Sequence, residues 1–120
     1  MMVAKARLVS TSLDKLVGFY EEELQAKMID RSDNYTCLKI GCSLLELFHG
    51  DDGKQSLISL ELETVDQLKE VVAMCQSVTK QISLEQYQGG QAFIAQVKDP
   101  DGNQVQLSCY QYMPEIALLA

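Results

Sequence analysis

Eight residues carry the side chains through which this 120-residue chain could hold or transform a small molecule: Lys5, Arg7, Glu46, Phe48, Leu57, Ser59, Gln106 and Tyr110. They lie in four segments where apolar residues alternate with more polar ones, Ala4-Ala6-Leu8, Leu45-Leu47, Ile58-Leu60-Leu62 and Val105-Leu107-Cys109. A period of two marks a strand buried on one face only, so the eight share the other face with Leu44, Glu61, Gln104 and Ser108. Two cations, carboxylates, amide and hydroxyl groups and two aromatic rings suit a cleft for a small polar-aromatic molecule. The same composition also fits a solvated sheet surface or a subunit contact.

Other chemistries lack their residues. Cys37, Cys42, Cys75 and Cys109 are separated by 5, 33 and 34 positions, with no Cys-x-x-Cys pair and a single histidine, His49. That spacing does not make a zinc site, and four small apolar thiols in a reducing compartment are expected instead. There is no Gly-x-Ser-x-Gly elbow and no phosphate-binding glycine loop. His49 follows Glu46 by three residues, so on a strand it points to the opposite side, or it lies in the turn beyond. Seventeen acidic against ten basic side chains leave a net charge of −7, which disfavours nucleic acid and mildly favours cationic partners. No apolar run approaches the roughly 20 residues of a membrane span, and no secretory signal is visible at the N-terminus. A cytoplasmic protein with no nucleic-acid or membrane partner is the expectation.

Two segments must be the helices that back these strands. Leu13, Leu16, Val17, Tyr20 and Leu24 form one apolar stripe, with Ser12 placed to cap its first turn. Val65, Leu68, Val72 and Cys75 form the second, opened by Thr64 and Gln67 at capping-box spacing. Further strands are expected at Met28–Arg31, Tyr35–Ile40 and Ala92–Lys98, with turns at 32–34, 41–42, 49–53, 89–90 and 99–103. The order strand, helix, about three strands then repeats. A shift of 52 carries Leu8 to Leu60, Ser12 to Thr64, Asp14 to Asp66 and Leu16 to Leu68. A shift of 60 carries Leu45 and Leu47 to Val105 and Leu107. The fold class is therefore α+β, with two βαβββ modules over about residues 3–49 and 56–110 of a single domain, 1–112. An apolar tail, 113–120, follows; its Ile116, Leu118 and Leu119 are expected to pack on the domain or on a second copy.

Ser12-Leu13-Asp14-Lys15-Leu16-Val17-Gly18-Phe19-Tyr20 with Leu24 resembles the opening motif of the vicinal oxygen chelate superfamily of glyoxalases, bleomycin-resistance proteins and extradiol dioxygenases. Asp99-Pro100-Asp101-Gly102-Asn103, followed by Gln104-Val105-Gln106-Leu107, resembles its closing signature. Leu44-Leu45-Glu46-Leu47 is similar to the strand that supplies a glutamate ligand in glyoxalase I. The resemblance, over roughly residues 3–110, implies a curved mixed sheet with a concave cleft and up to four metal ligands, one per central strand. Carried over residue by residue, those positions hold Lys5, Glu46, Leu57 and Gln106. Lys5 is a donor only, Leu57 has no ligand atom, and one carboxylate plus one amide is too little for a divalent transition metal. Lys5 and Glu46 are expected to meet instead as an ion pair or an acid/base pair. The resemblance thus implies a bleomycin-resistance-like homodimer with no metal, no cofactor and no catalytic residue, binding or sequestering a small cationic aromatic ligand, with Phe48 and Tyr110 as stacking faces. The alternative is a metal-dependent lyase, isomerase or dioxygenase with an altered ligand set.

Overall fold

In the computed structural model, which describes residues 4–51 and 54–112, each half of the chain folds as strand, helix and three strands. The first half comprises β1 (Ala4–Ser10), α1 (Leu13–Glu22), β2 (Lys27–Ser32), β3 (Tyr35–Ile40) and β4 (Ser43–His49). The second comprises β5 (Leu57–Glu61), α2 (Val65–Met74), β6 (Val78–Tyr87), β7 (Gly90–Lys98) and β8 (Gln104–Tyr112). Each half forms its own four-stranded mixed sheet, in the orders β1-β4-β3-β2 and β5-β8-β7-β6. The first and last strands of each module run parallel and the other pairs antiparallel. The expected α+β architecture of two βαβββ modules is what the chain adopts.

The apolar halves of the alternating strands supply the core. Leu8, Leu45, Leu47, Leu60, Val105 and Leu107 are buried against Leu16, Val17, Tyr20 and Leu24 of the first helical stripe and Leu68 and Val72 of the second, with Val71, outside that stripe, buried beside them. Of the residues related by the shifts of 52 and 60, Leu8 and Leu60, Leu16 and Leu68, Leu45 and Val105, and Leu47 and Leu107 occupy equivalent buried places, while Ser12 and Thr64, and Asp14 and Asp66, recur at the exposed helix starts. The core is shared by both modules. At the junction between them the Cys42 N–H donates to the Glu61 carbonyl (2.8 Å), and the Glu61 N–H donates to Ser43 Oγ (2.7 Å). Gly41 makes that approach possible: its φ is +57°, and a Cβ there would sit 2.6 Å from both Glu61 O and Leu62 Cα.

Two details differ from the sequence reading. Ser12 makes no side-chain cap; its own N–H donates to Ser10 Oγ at 2.9 Å, because Ser12 takes φ −119° and ψ 60° rather than a capping conformation. Thr64 does cap α2, accepting from the Gln67 N–H at 3.0 Å, while the Gln67 side chain reaches back to the Glu63 N–H at 2.9 Å. The second difference is β6, a ten-residue strand the alternation does not reveal. None of its residues is buried, it lies at a sheet edge, and its register slips twice between Val78 and Ser83. An edge on which only Val78 and Ile82 rest partly on the core has little apolar pattern to show, and bulges of this kind discourage pairing with another chain. The tail 113–120 lies outside the described residues.

Candidate functional site

The open faces of the two sheets, turned away from the helices, hold every residue named from the alternation. On β1 and β4 the register pairs Lys5 with Leu44 and Arg7 with Glu46, and Val9 lies opposite Phe48. On β3 it sets Tyr35 opposite Phe48 and Cys37 opposite Glu46. Paired residues share a face, so Lys5, Arg7, Tyr35, Glu46 and Phe48 converge. Glu46 is their centre. Its Oε1 accepts from Arg7 Nε at 3.0 Å and lies 3.1 Å from Lys5 Nζ, and its Oε2 accepts from the Tyr35 hydroxyl at 2.9 Å. The Tyr35 hydrogen bond first, and then the Lys5 and Arg7 contacts, hold the Glu46 carboxyl below the ordinary glutamate range against the opposing push of desolvation. The same hydrogen bond pushes the Tyr35 phenol well above its usual value. Phe48 packs on Tyr35 with ring centroids 5.0 Å apart, and the Arg7 guanidinium lies 5.9 Å from the centroid of the Phe48 ring.

The second open face has a different character. Gln106 pairs with Ser59, and Leu57, 69 % exposed, pairs with Gln104. A cavity of about 460 Å³ is lined by Glu61, Tyr87, Ala92, Ile94, Gln106, Ser108 and Tyr110. Ala92 and Ile94 are buried and form its floor, and Tyr87 and Tyr110 rise half-exposed with ring centroids 6.3 Å apart. Among the described residues no hydrogen bond or ion pair joins Lys5, Arg7 or Glu46 to Gln106 or Tyr110. Sequence reasoning missed Tyr35 and Tyr87. Tyr35 was reachable, since it begins a recognised strand and alternates there with Thr36, Leu38 and Ile40, which are buried. Tyr87 was not, because β6 gave no alternation to place it.

The two signature motifs turn out to touch. The Tyr20 hydroxyl of α1 donates to Asp99 Oδ2 at 2.7 Å, joining the first module to the β7–β8 turn of the second. Asp99 is 4 % exposed and also accepts from the Asp101 and Asn103 N–H groups and from Asn103 Nδ2, while Asn103 Oδ1 accepts from the Ser56 N–H. Burial, and then the adjacent Asp99, push the Tyr20 phenol far above its usual value. Tyr20, Asp99 and Asn103 thus serve the fold, while Gln104 and Gln106, which follow in the closing motif, lie on the second open face.

The residues at the four positions carried over from the resemblance do not fit a metal. Lys5 donates to Glu46, Leu57 offers no ligand atom, and both Glu46 oxygens are already held by Tyr35, Arg7 and Lys5. No three His, Cys, Asp or Glu side chains cluster among the described residues. His49 ends β4 exposed, and the four cysteines are free, three of them buried. Burial raises the thiols of Cys42, Cys75 and Cys109, which makes them poor nucleophiles.

Residues 3–107 match the family model described as the Glyoxalase/Bleomycin resistance protein/Dioxygenase superfamily. The chain belongs to that superfamily. No curated protein matches the sequence. Among solved structures, a glyoxalase/bleomycin resistance protein/dioxygenase from Alicyclobacillus acidocaldarius superposes with TM-score 0.70 at 12% identity, over 98% of this chain and 96% of that one. TioX from Micromonospora sp. ML1 gives TM-score 0.69 at 10% identity, over 92% and 100%. Lactoylglutathione lyase from Agrobacterium tumefaciens gives 0.65 at 16% identity, over 90% and 92%. Identities this low make the likeness one of fold, and the superfamily's paired βαβββ architecture is the shared feature. Among the described residues of this superfamily member no helix is long and apolar enough to cross a membrane.

Proposed function

We propose that this chain is a small-molecule binding protein of the bleomycin-resistance-like kind, a cytoplasmic homodimer that holds or sequesters a small aromatic ligand on its open sheet faces. Lys5, Arg7, Glu46, Phe48, Leu57, Ser59, Gln106 and Tyr110 supply the binding surface, joined by Tyr35 and Tyr87. The observation that carries the reading is the cavity on the second sheet: an apolar floor of Ala92 and Ile94 beneath two tyrosine rings, with one carboxylate, Glu61, and no cation among its lining residues. Two ring faces beside a carboxylate suit a planar cation. Against catalysis stands Glu46, the one carboxylate at a ligand position the resemblance implies, each of whose oxygens is already engaged by its own neighbours.

Thermal shift with benzyltrimethylammonium tests it. A ligand at 100 times its Kd adds about 2.7 kcal/mol of stability, and Tyr110→Ala abolishes that gain. No shift with the cation, or the same shift in Tyr110→Ala, removes the reading. Stoichiometric Ni, Zn, Mn or Fe accompanied by turnover would establish the lyase, isomerase or dioxygenase alternative in its place. Light scattering reads the homodimer directly; a monomer at micromolar concentration overturns that part.

A further inference from the structure

The first open face has a charge opposite to that of the chain. The whole protein carries −7, yet β1, β4 and β3 present Lys5, Arg7 and Lys39 on this face against one carboxylate, Glu46. On the outer strand β2, Lys27 and Asp30 share the face and balance each other. The excess is not a scatter of mobile lysines. Glu46, with its side chain only 11 % exposed, anchors Arg7 through Nε alone, and the guanidinium lies near the Phe48 ring. Neither terminal guanidinium nitrogen has a hydrogen-bond partner among the described residues, and the Arg7 side chain is 67 % exposed. Lys5 Nζ contacts the same carboxylate oxygen, and its side chain is 51 % exposed. The buried carboxylate therefore sets two cations side by side with their remaining donors toward solvent, which removes much of the ordering cost a ligand would otherwise meet. A guanidinium fork held at one nitrogen offers its outer edge to a planar two-oxygen acceptor. Phe48 and Tyr35, packed beside it with their rings tilted by 49°, offer ring surface to whatever carries that acceptor.

We infer that this face is a receptor for the carboxylate of a small aromatic acid, gripped by Arg7 and Lys5 while its ring lies against Phe48 and Tyr35. The inference rests on the proposed function only in taking the open face as a binding surface; the site and the ligand charge differ from those of the Tyr87–Tyr110 cavity. A bidentate Arg7–carboxylate contact reinforced by Lys5 supplies most of the affinity. Glu46 contributes to this part of the binding surface by positioning both cations and does not itself contact the acid.

The probe is benzoate, titrated into the full-length protein and followed by amide chemical shifts, with neutral benzamide and inorganic phosphate as the two comparison ligands. Benzoate is expected to perturb β1, β3 and β4, with benzamide and phosphate each weaker by about tenfold or more. Arg7→Gln lowers benzoate affinity by a similar factor, and Arg7→Lys recovers only part of it, because an ammonium cannot form the planar fork. Both positions are exposed, so these variants fold; unchanged melting temperatures verify it. Lys5→Gln gives a second, smaller loss. Benzamide binding as tightly as benzoate, phosphate binding more tightly, or an Arg7→Gln variant with unaltered benzoate affinity each overturns the inference. Benzyltrimethylammonium titrated in parallel separates the two readings. A bound cation with no benzoate response sinks this inference alone, and the reverse result sinks the cation cavity alone.

Discussion

Tyr20 and Asp99 are 79 residues apart in sequence and share a 2.7 Å hydrogen bond, and the chemistry of that pair makes a sharp prediction. Tyr20→Phe removes one of four donors from a buried carboxylate, at an expected cost of about 1–3 kcal/mol in urea unfolding at pH 7. The Tyr20 phenol is raised in the folded state, so its contribution is complete below the unfolded tyrosine value of about 10 and is lost as pH climbs above it. Wild type should therefore lose stability on the alkaline side more steeply than Tyr20→Phe; parallel slopes above pH ~10 would contradict the pairing. Glu46 works in the opposite sense. Its folded value is depressed, so its stabilisation is present above about pH 4.3 and disappears as pH falls through the lower folded value. Glu46→Gln should flatten the acid limb of the stability curve. Lys5→Met should cost less than about 1 kcal/mol, because Lys5 is half exposed and Glu46 keeps Tyr35 and Arg7. An ion pair read from sequence as Lys5 with Glu46 alone would predict a larger loss.

At the level of elements, the two helices begin alike in sequence and differently in space. Thr64→Ala should cost about 1 kcal/mol, since its hydroxyl satisfies a free N–H of α2. Ser12→Ala should stay within about 0.5 kcal/mol, because no helix donor depends on its side chain. Equal losses at the two positions in chemical denaturation would mean that Ser12 caps after all. The internal strands were legible for the reason that they pack: β4 and β8 are flanked on both sides and bury Leu45, Leu47, Val105, Leu107 and Cys109. The edge strands β2 and β6 have no fully buried residue, and each has a register slip. β2 is expected at 28–31 all the same, whereas on β6 only Val78 and Ile82 rest partly on the core, too sparse an apolar pattern for alternation to reveal the strand.

At the scale of the molecule, the modules depend on a close approach at Gly41. Gly41→Ala adds a Cβ that collides with Glu61 and Leu62 backbone in a conformation alanine disfavours, and should destabilise by about 1–3 kcal/mol. A melting temperature equal to wild type would show that the junction is loose. The superfamily's metal positions give a second whole-molecule expectation. Chelator should leave melting and oligomeric state unchanged, because bound metal would couple to stability. Lys5→His, Leu57→His and Gln106→Glu together, around Glu46, should create measurable affinity for a divalent metal. Failure of that triple variant would mean that the four positions do not converge.

Alternation and the helical stripes picked out much of the core by themselves, though not Phe19 or Val71, because burial of apolar area is a property each residue type carries wherever it lies. The same parity put Lys5, Arg7, Glu46, Phe48, Gln106 and Tyr110 on the uncovered face, and short motifs placed the superfamily. What Glu46 does there was decided only by the tertiary structure. Hydrogen bonds are directional and act over about 3 Å, so whether a carboxylate meets a metal, a ligand or its own neighbours depends on register. The register of β1, β3 and β4 delivers Arg7, Tyr35 and Lys5 to it together. The Tyr20–Asp99 bond is of the same kind: each partner is plain in sequence, and only the packing of one module on the other brings them within reach.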